Sequence, residues 1–296
     1  MTRKLLFVHG RAQQRHDALG LKGEWIAALS EGLAKSGLSL PLTESDVRFP
    51  YYGDTLFDLD QGANGDEVAA VIVRGDGPPG EDEREFMRSV LEEMRRSAGI
   101  TQQQITDVEG AQVIEKGPLN WGWVRRILKA IDKYVPGASG SGIALATHDV
   151  YSYLSSPGVR DTIEEGIRAA ISSGEPTVVV AHSLGTVVAY NLLRREGAQQ
   201  GWIVPLLVTV GSPLAVTAIK RALRPIHHPA CVTHWYNAMD ARDIVALYPL
   251  DPGHFDVNPS IENKTNVDNQ TSNHHGISGY LNDKDVARHV FTALTP

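Results

Sequence analysis

The spacing of apolar residues changes along the chain and predicts its first elements. Residues 4–8 (KLLFV) form a short apolar run that ends at a His-Gly pair, which predicts a buried strand. Further along, apolar residues recur at every fourth position and predict a helix with one apolar face that ends near Gly37. These residues are Leu21, Trp25, Leu29 and Leu33. The following DVRFPYYGD predicts a strand that runs into a turn.

From about residue 55 to residue 142, Gly-, Pro- and acid-rich segments surround two helical stripes. The first stripe consists of Phe86, Val90, Leu91 and Met94. The second consists of Val124, Ile127, Leu128, Ile131 and Val135, at the spacing of a helix with one apolar face. We therefore predict a single domain over residues 1–296 with a helical cap inserted at about residues 55–142. The run GASGSG at the end of the cap predicts a flexible hinge.

After the insertion, helical and strand-like segments alternate. Helices are predicted at residues 143–154, 159–171 and 283–294. Three runs rich in β-branched or aromatic residues are TVVVA, WIVPLLVTV and ACVTHWYNA. They lack a regular alternation of apolar and polar positions, as is typical of parallel strands covered on both faces. This order of elements predicts an α/β fold with a mostly parallel sheet.

Composition and charge exclude several classes of protein. The 296 residues are 42% hydrophobic and 21% charged, which is enough apolar material for a sizeable core. A net charge of -7 without a long basic block argues against a nucleic-acid partner. The N-terminal apolar run is too short for a secretory signal, and no stretch approaches a membrane span of roughly 18 apolar residues. With Cys231 as the single cysteine, we expect a cytoplasmic protein. The oligomeric state stays open.

The run AHSLG offers the clearest chemistry in the sequence. Ala181 to Gly185 departs from the G-x-S-x-G nucleophile elbow only at the first position, where alanine replaces glycine. A predicted strand precedes this run and a predicted amphipathic helix follows it, so we expect Ser183 at a sharp turn on the edge of the sheet. The N-terminus of that helix would favour developing negative charge.

A nucleophilic serine requires a base, which an acid must orient. In hydrolases with this elbow the acid and then the histidine follow the serine along the chain. The segment MDARDIVAL offers Asp240 and Asp243, and the segment SNHHGISGYL offers His274 and His275. Residues 227–234 also have a spacing of His and Cys that is reminiscent of a metal site, but Cys231 and His234 would face opposite sides of a predicted strand.

Several motifs resemble those of α/β-hydrolase serine esterases and lipases, in particular the lipid-deacylating branch that includes GPI inositol-deacylase-like proteins. They are HGR after the first strand, AHSLG at the elbow, GSPL after the next strand, D-x-V after a W-x-N strand and H-x(4)-Y-L near the end. The resemblance covers roughly residues 3–54 and 143–294. It implies the α/β-hydrolase fold, a three-layer α/β/α sandwich whose sheet begins at the strand normally third in that fold.

The resemblance also implies roles for individual residues. Asp243 would be the acid, because the family's acid commonly precedes a short apolar pair, with Asp240 as the alternative. His275 would be the base, because it lies five residues before Tyr280 in H-x(4)-Y-L. His274 is the alternative base.

The oxyanion hole implied by the resemblance combines two backbone N–H groups, from Leu184 and Arg11, with His9 bracing the loop that carries Arg11. The implied reaction is hydrolysis of carboxylic esters with a lipid or other hydrophobic acyl group, through a Ser-His-Asp triad and an acyl-enzyme. It requires no metal or organic cofactor. A thioesterase or amidase would use the same residues. From a different class, a non-catalytic binding protein on a hydrolase scaffold is the further alternative.

Overall fold

The computed structural model describes residues 3–10, 18–52, 80–108 and 121–295. Its strands are β1 (Lys4–Val8), β2 (Val47–Arg48), β3 (Thr177–His182), β4 (Val204–Val210), β5 (Val232–Ala238) and β6 (Glu262–Lys264). They form one six-stranded sheet in the order β2-β1-β3-β4-β5-β6, and every neighbouring pair is parallel. The predicted α/β class and parallel sheet are confirmed.

The helices of the described residues follow the predicted pattern wherever the pattern was long. They are α1 (Ala18–Ala34), α2 (Glu81–Ser97), α3 (Gln102–Asp107), α4 (Trp121–Tyr134), α5 (Gly140–Ser155), α6 (Pro157–Ala170), α7 (Leu184–Glu196), α8 (Thr217–Ala222), α9 (Ile277–Leu281) and α10 (Lys284–Leu294). The sequence did not predict α3, α8, α9 or β6, which are six residues or shorter and carry no periodic pattern.

Strand side chains alternate between two apolar clusters, which explains why the strands show no alternation of apolar and polar residues. Leu5 and Phe7 of β1 belong to a cluster that includes Trp25 of α1 and residues of α10. Leu6 and Val8 belong to a second cluster, which includes residues of α2, α4, α5 and α7. Helices therefore pack against both faces of the sheet.

The described part of the predicted cap contributes to the second of these clusters. The first predicted stripe lies on α2, although Met87 is fully buried where the prediction chose its half-buried neighbour Phe86. The second lies on α4 except for Val135, which directly follows the helix. Of the predicted cap, residues 55–79 and 109–120 lie outside the described residues. Of the strand predicted from DVRFPYYGD, only the two residues of β2 are present. Pro50, later in the same run, has no N–H to donate to a sheet.

The prediction of a flexible hinge at GASGSG is wrong, because α5 begins inside this run. The Ser139 hydroxyl caps the helix by accepting the Gly142 N–H at 3.2 Å. The Gly140 N–H donates to Asp132 Oδ1 of α4 at 2.7 Å, and a Cβ at Gly140 would lie 2.5 Å from the Leu128 carbonyl oxygen. Glycine and serine serve here to start a helix in close contact with its neighbour.

Two glycines of α1 provide a matched test of how closely this helix packs against the end of α9. A Cβ at Gly32 would lie 2.5 Å from the Leu281 carbonyl oxygen, whereas at Gly23 it would meet no described atom within 4 Å. We expect Gly32→Ala to lower the free energy of unfolding by about 1–3 kcal/mol through overpacking. Gly23→Ala should raise it by roughly 0.5–1 kcal/mol, because alanine favours the helix. Urea denaturation measures both, and equal effects would contradict the described contact.

Candidate active site

Ser183 lies in a tight turn between β3 and α7. Its backbone has φ 54° and ψ -129°, in a region that residues other than glycine rarely adopt. Its neighbours approach closely, because a Cβ at Gly185 would clash with the carbonyl oxygens of Val8 and His9, and one at Gly10 would lie 2.7 Å from Ser183 Cβ. Ala181 is fully buried within β3. The turn therefore tolerates alanine at its first position but requires glycine at its last.

A chain of hydrogen bonds links Ser183 to a histidine and a carboxylate. The Ser183 hydroxyl donates to His275 Nε2 at 2.9 Å, and His275 Nδ1–H donates to Asp243 Oδ2 at 2.7 Å. Asp243 follows β5 and His275 follows β6, so both lie at the carboxyl ends of parallel strands, where β3 delivers Ser183. This arrangement allows His275 to take the Ser183 proton while Asp243 stabilises the imidazolium.

Asp243 is a fully buried carboxylate with several hydrogen-bond donors. Besides His275, Oδ2 accepts the Tyr280 hydroxyl at 2.6 Å, and Oδ1 accepts the backbone N–H groups of Val245 at 2.8 Å and Ala246 at 3.3 Å. Burial acts to raise the pKa of Asp243, but the charge of His275 and these hydrogen bonds outweigh it, and the pKa lies below its ordinary value. Asp243 is therefore ionised at neutral pH.

The two alternative candidates lie near the site but do not contact Ser183. Asp240 pairs with Arg242 at 2.6 Å, and its Oδ2 accepts the Asn269 N–H at 2.8 Å. His274 has a positive φ of 56°, and its Nδ1–H donates to the Asn269 carbonyl oxygen at 2.9 Å. Both side chains hold the loop that carries His275, and neither belongs to the hydrogen-bonded chain from Ser183 to Asp243.

Asn269 also holds the loop that carries His275, and the sequence did not predict this role. Its side chain is fully buried; its Nδ2 donates to the Gly276 carbonyl oxygen at 2.9 Å, and its Oδ1 accepts the Thr271 hydroxyl at 2.6 Å. The Thr271 hydroxyl oxygen in turn accepts the Gly276 N–H at 2.9 Å. Asn269 and Thr271 thus fix the backbone on the C-terminal side of His275. Asparagine is common in loops, so no motif distinguishes this residue in the sequence.

His182, directly before Ser183, holds the other side of the same loop. Its Nε2–H donates to the His275 carbonyl oxygen at 2.8 Å, and the two rings lie 4.7 Å apart. Burial, and then the proximity of His275, lower the pKa of His182. A neutral His182 can keep this hydrogen bond without placing a second positive charge beside the imidazolium of His275.

The predicted oxyanion donors are only partly within the described residues. Leu184 is the first residue of α7, at the end where backbone N–H groups have no partner in their own helix. Arg11 lies outside the described residues. His9, two residues before it, is buried: the Tyr52 N–H donates to its Nε2 at 3.1 Å, and its Nδ1 donates to the Gly10 carbonyl oxygen at 2.7 Å.

The described residues contain no group of three or more His, Cys, Asp or Glu side chains arranged to hold a metal ion. Among the helices that the structure describes, none has the length and apolar content needed to cross a membrane. Comparisons with protein-family models, curated proteins and solved structures found no match. The inference of function therefore depends on the geometry of the site.

Substitutions of the two aspartates should affect the reactivity of Ser183 differently. We expect Asp243→Asn to slow labelling of Ser183 by a fluorophosphonate by about 10³-fold or more, because it disrupts the orientation and stabilisation of His275. Asp240→Asn keeps that pair and should slow labelling less than about tenfold. The measurement is the second-order labelling rate of folded protein. Equal effects of the two changes would contradict the assignment of Asp243.

The burial of His9 should lower the free energy of unfolding in mild acid. Burial lowers its pKa to about 4, against a modest rise from the hydrogen bond to Gly10, while an unfolded histidine titrates near pH 6.5. Below about pH 6.5 the unfolded chain therefore takes up a proton that the folded protein does not, until the pH reaches about 4. Between pH 7 and pH 5 this costs about 2 kcal/mol of unfolding free energy.

Urea denaturation at pH 7 and pH 5 measures this loss. His9→Asn should lose less stability between the two pH values than the wild type. His234→Asn, which changes an exposed histidine, should lose as much as the wild type. A wild-type profile unaffected by His9→Asn would contradict the burial of a neutral His9.

Proposed function

We propose that this protein is a serine hydrolase of the α/β-hydrolase type that cleaves carboxylic esters. The hydrogen-bonded chain from Ser183 through His275 to the buried Asp243 carries the proposal. A serine within 2.9 Å of a histidine nitrogen, with a buried ionised acid on the other nitrogen, is the arrangement that nucleophilic acyl transfer requires. A serine that merely caps a helix would need neither partner.

The topology supports the finer assignment of the fold. The order of the chain is nucleophile after β3, acid after β5 and histidine after β6, as the resemblance to α/β-hydrolases implies. Helices α1 and α10 share one apolar cluster and α2, α4, α5 and α7 share the other, which supports a three-layer α/β/α sandwich. In the proposed correspondence, β1, the first strand along this chain, matches the strand that is normally third in the α/β-hydrolase fold.

In the proposed reaction, Ser183 Oγ attacks the ester carbonyl carbon while His275 Nε2 takes its proton. The negative charge on the carbonyl oxygen is stabilised by the Leu184 N–H at the start of α7. The resemblance adds the Arg11 N–H as the second donor. The tetrahedral intermediate collapses by breaking the bond to the alcohol oxygen, and His275 returns the proton to the departing alcohol.

Hydrolysis of the acyl-enzyme completes the cycle with the same groups. Water attacks the acyl carbon, His275 takes a proton from it, and the bond to Ser183 Oγ breaks as that proton returns to the serine. The carboxylic acid then leaves. Throughout, Asp243 keeps its negative charge and stabilises the imidazolium. Every step uses side chains, backbone N–H groups and water.

Ser183→Ala tests the proposed function. The wild-type protein should react with a fluorophosphonate at Ser183, identified by mass spectrometry, and should hydrolyse p-nitrophenyl butyrate. Ser183→Ala should lose the label and about 10³-fold or more of kcat/KM. Ser183→Ala keeps the Cβ and removes only the hydroxyl, so the variant should fold like the wild type, which circular dichroism checks. A folded wild-type protein that neither reacts nor hydrolyses the ester would instead be a binding protein on a hydrolase scaffold.

A further inference from the structure

A narrow cavity lies directly beside Ser183. Ser183 and Leu184 line one side of it, and residues of α2 and α5 line another, including Val90 and Met94 of α2 and Val150 of α5. The cavity has about 20 Å³ of open space. This is room for roughly one or two water molecules, since a cavity needs about 10–15 Å³ for each. A small group attached to Ser183 fits there, and a long chain does not.

The walls of the cavity are held in place from both sides. Val90 and Met94 are buried and belong to the apolar cluster that also includes Leu6 and Val8 of β1. Between them on α2, Glu93 accepts the Thr217 N–H at 3.1 Å and the Thr217 hydroxyl at 3.0 Å, at the first residue of α8. On the other side, Glu83 of α2 pairs with His148 of α5 at 2.5 Å. Widening the cavity would require the separation of packed helices.

Among the described residues, the lining offers no charged group to a bound molecule. Apart from Ser183, Thr147 is the one polar side chain among the described residues that line the cavity. Its hydroxyl already donates to the Ile143 carbonyl oxygen of its own helix at 2.8 Å. A polar or charged substituent placed here would lose its hydration without gaining a partner, which is costly. The cavity therefore favours a small apolar group.

The position of the cavity indicates which part of an ester it holds. Leu184, whose N–H is the expected oxyanion donor, lines the cavity together with the nucleophile. The alcohol must leave and water must enter between the two halves of the reaction, so both need a path to solvent. The acyl group stays attached to Ser183 through both halves and can occupy a narrow space.

We propose that this cavity is the acyl pocket and that it selects short apolar acyl groups of about two to four carbons. The proposal depends on the proposed esterase function and narrows its substrates. It departs from the lipid acyl chains that the resemblance implies, because drug-sized ligands occupy pockets of roughly 300–1,000 Å³. Met94 belongs to the α2 wall and limits the length of the acyl chain.

A series of p-nitrophenyl esters tests the proposal, because the leaving group stays constant while the acyl chain lengthens. For the wild type, kcat/KM should be highest for the acetate or butyrate and at least about tenfold lower for the octanoate. Met94→Ala should raise the octanoate-to-butyrate ratio by about tenfold or more. Met87→Ala is the matched control, since Met87 is also buried on α2 but does not line the cavity. It should leave the ratio unchanged.

The outcomes separate this proposal from the proposed function. A wild type that prefers the octanoate, or equal shifts of the ratio in Met94→Ala and Met87→Ala, would overturn the short acyl pocket while fluorophosphonate labelling of Ser183 upheld the hydrolase. Absence of both labelling and hydrolysis would overturn the proposed function itself. If Met94→Ala does not fold, Val90→Ala tests the same wall and should shift the ratio in the same direction.

Discussion

The burial of the Asp243 carboxylate is the constraint on which the site depends. A buried charge is costly unless it is paired and hydrogen-bonded, and Asp243 receives donors from His275, Tyr280, Val245 and Ala246. These donors come from the turn after β5, the loop after β6 and the helix α9. Satisfying one carboxylate therefore joins the turn after β5 to the continuous segment that carries His275 and α9, and the position of His275 opposite Ser183 follows from that assembly.

A second buried carboxylate in the same turn supports the first. Asp240 accepts the Asn269 N–H at 2.8 Å and pairs with Arg242, so it fixes the start of the loop that carries His275. The Asp243 N–H donates to the Asp240 carbonyl oxygen at 3.0 Å, which couples the two residues through the backbone. One aspartate positions the loop and the other orients the imidazole, although both belong to the same short sequence, MDARD.

The sequence predicted the elements with long apolar patterns and the position of Ser183 at a turn between a strand and a helix, since these depend on local spacing. The residues alone did not separate Asp243 from Asp240 or His275 from His274, and only the resemblance favoured Asp243 and His275, because tertiary contacts decide which side chain of a turn points towards Ser183. Asn269 escaped prediction for the same reason. The error at GASGSG has a different cause: glycine and serine occur both in flexible links and at helix starts, and close contact with α4 decided between them.

The chemistry and the proposed selectivity belong to different parts of the chain. The groups proposed to react lie on turns at the ends of strands, where short motifs mark them, whereas no motif marks the residues of α2 and α5 in the wall of the cavity. Because Met94 and Val90 pack in the main apolar cluster, enlarging the cavity also removes core contacts, at about 2–5 kcal/mol for a buried Met→Ala change. A wider substrate range would thus cost stability unless a residue elsewhere in the cluster refilled the space. In the proposed hydrolase, selectivity and folding are coupled through shared packing, while the strain at Ser183 couples catalysis to folding through the backbone.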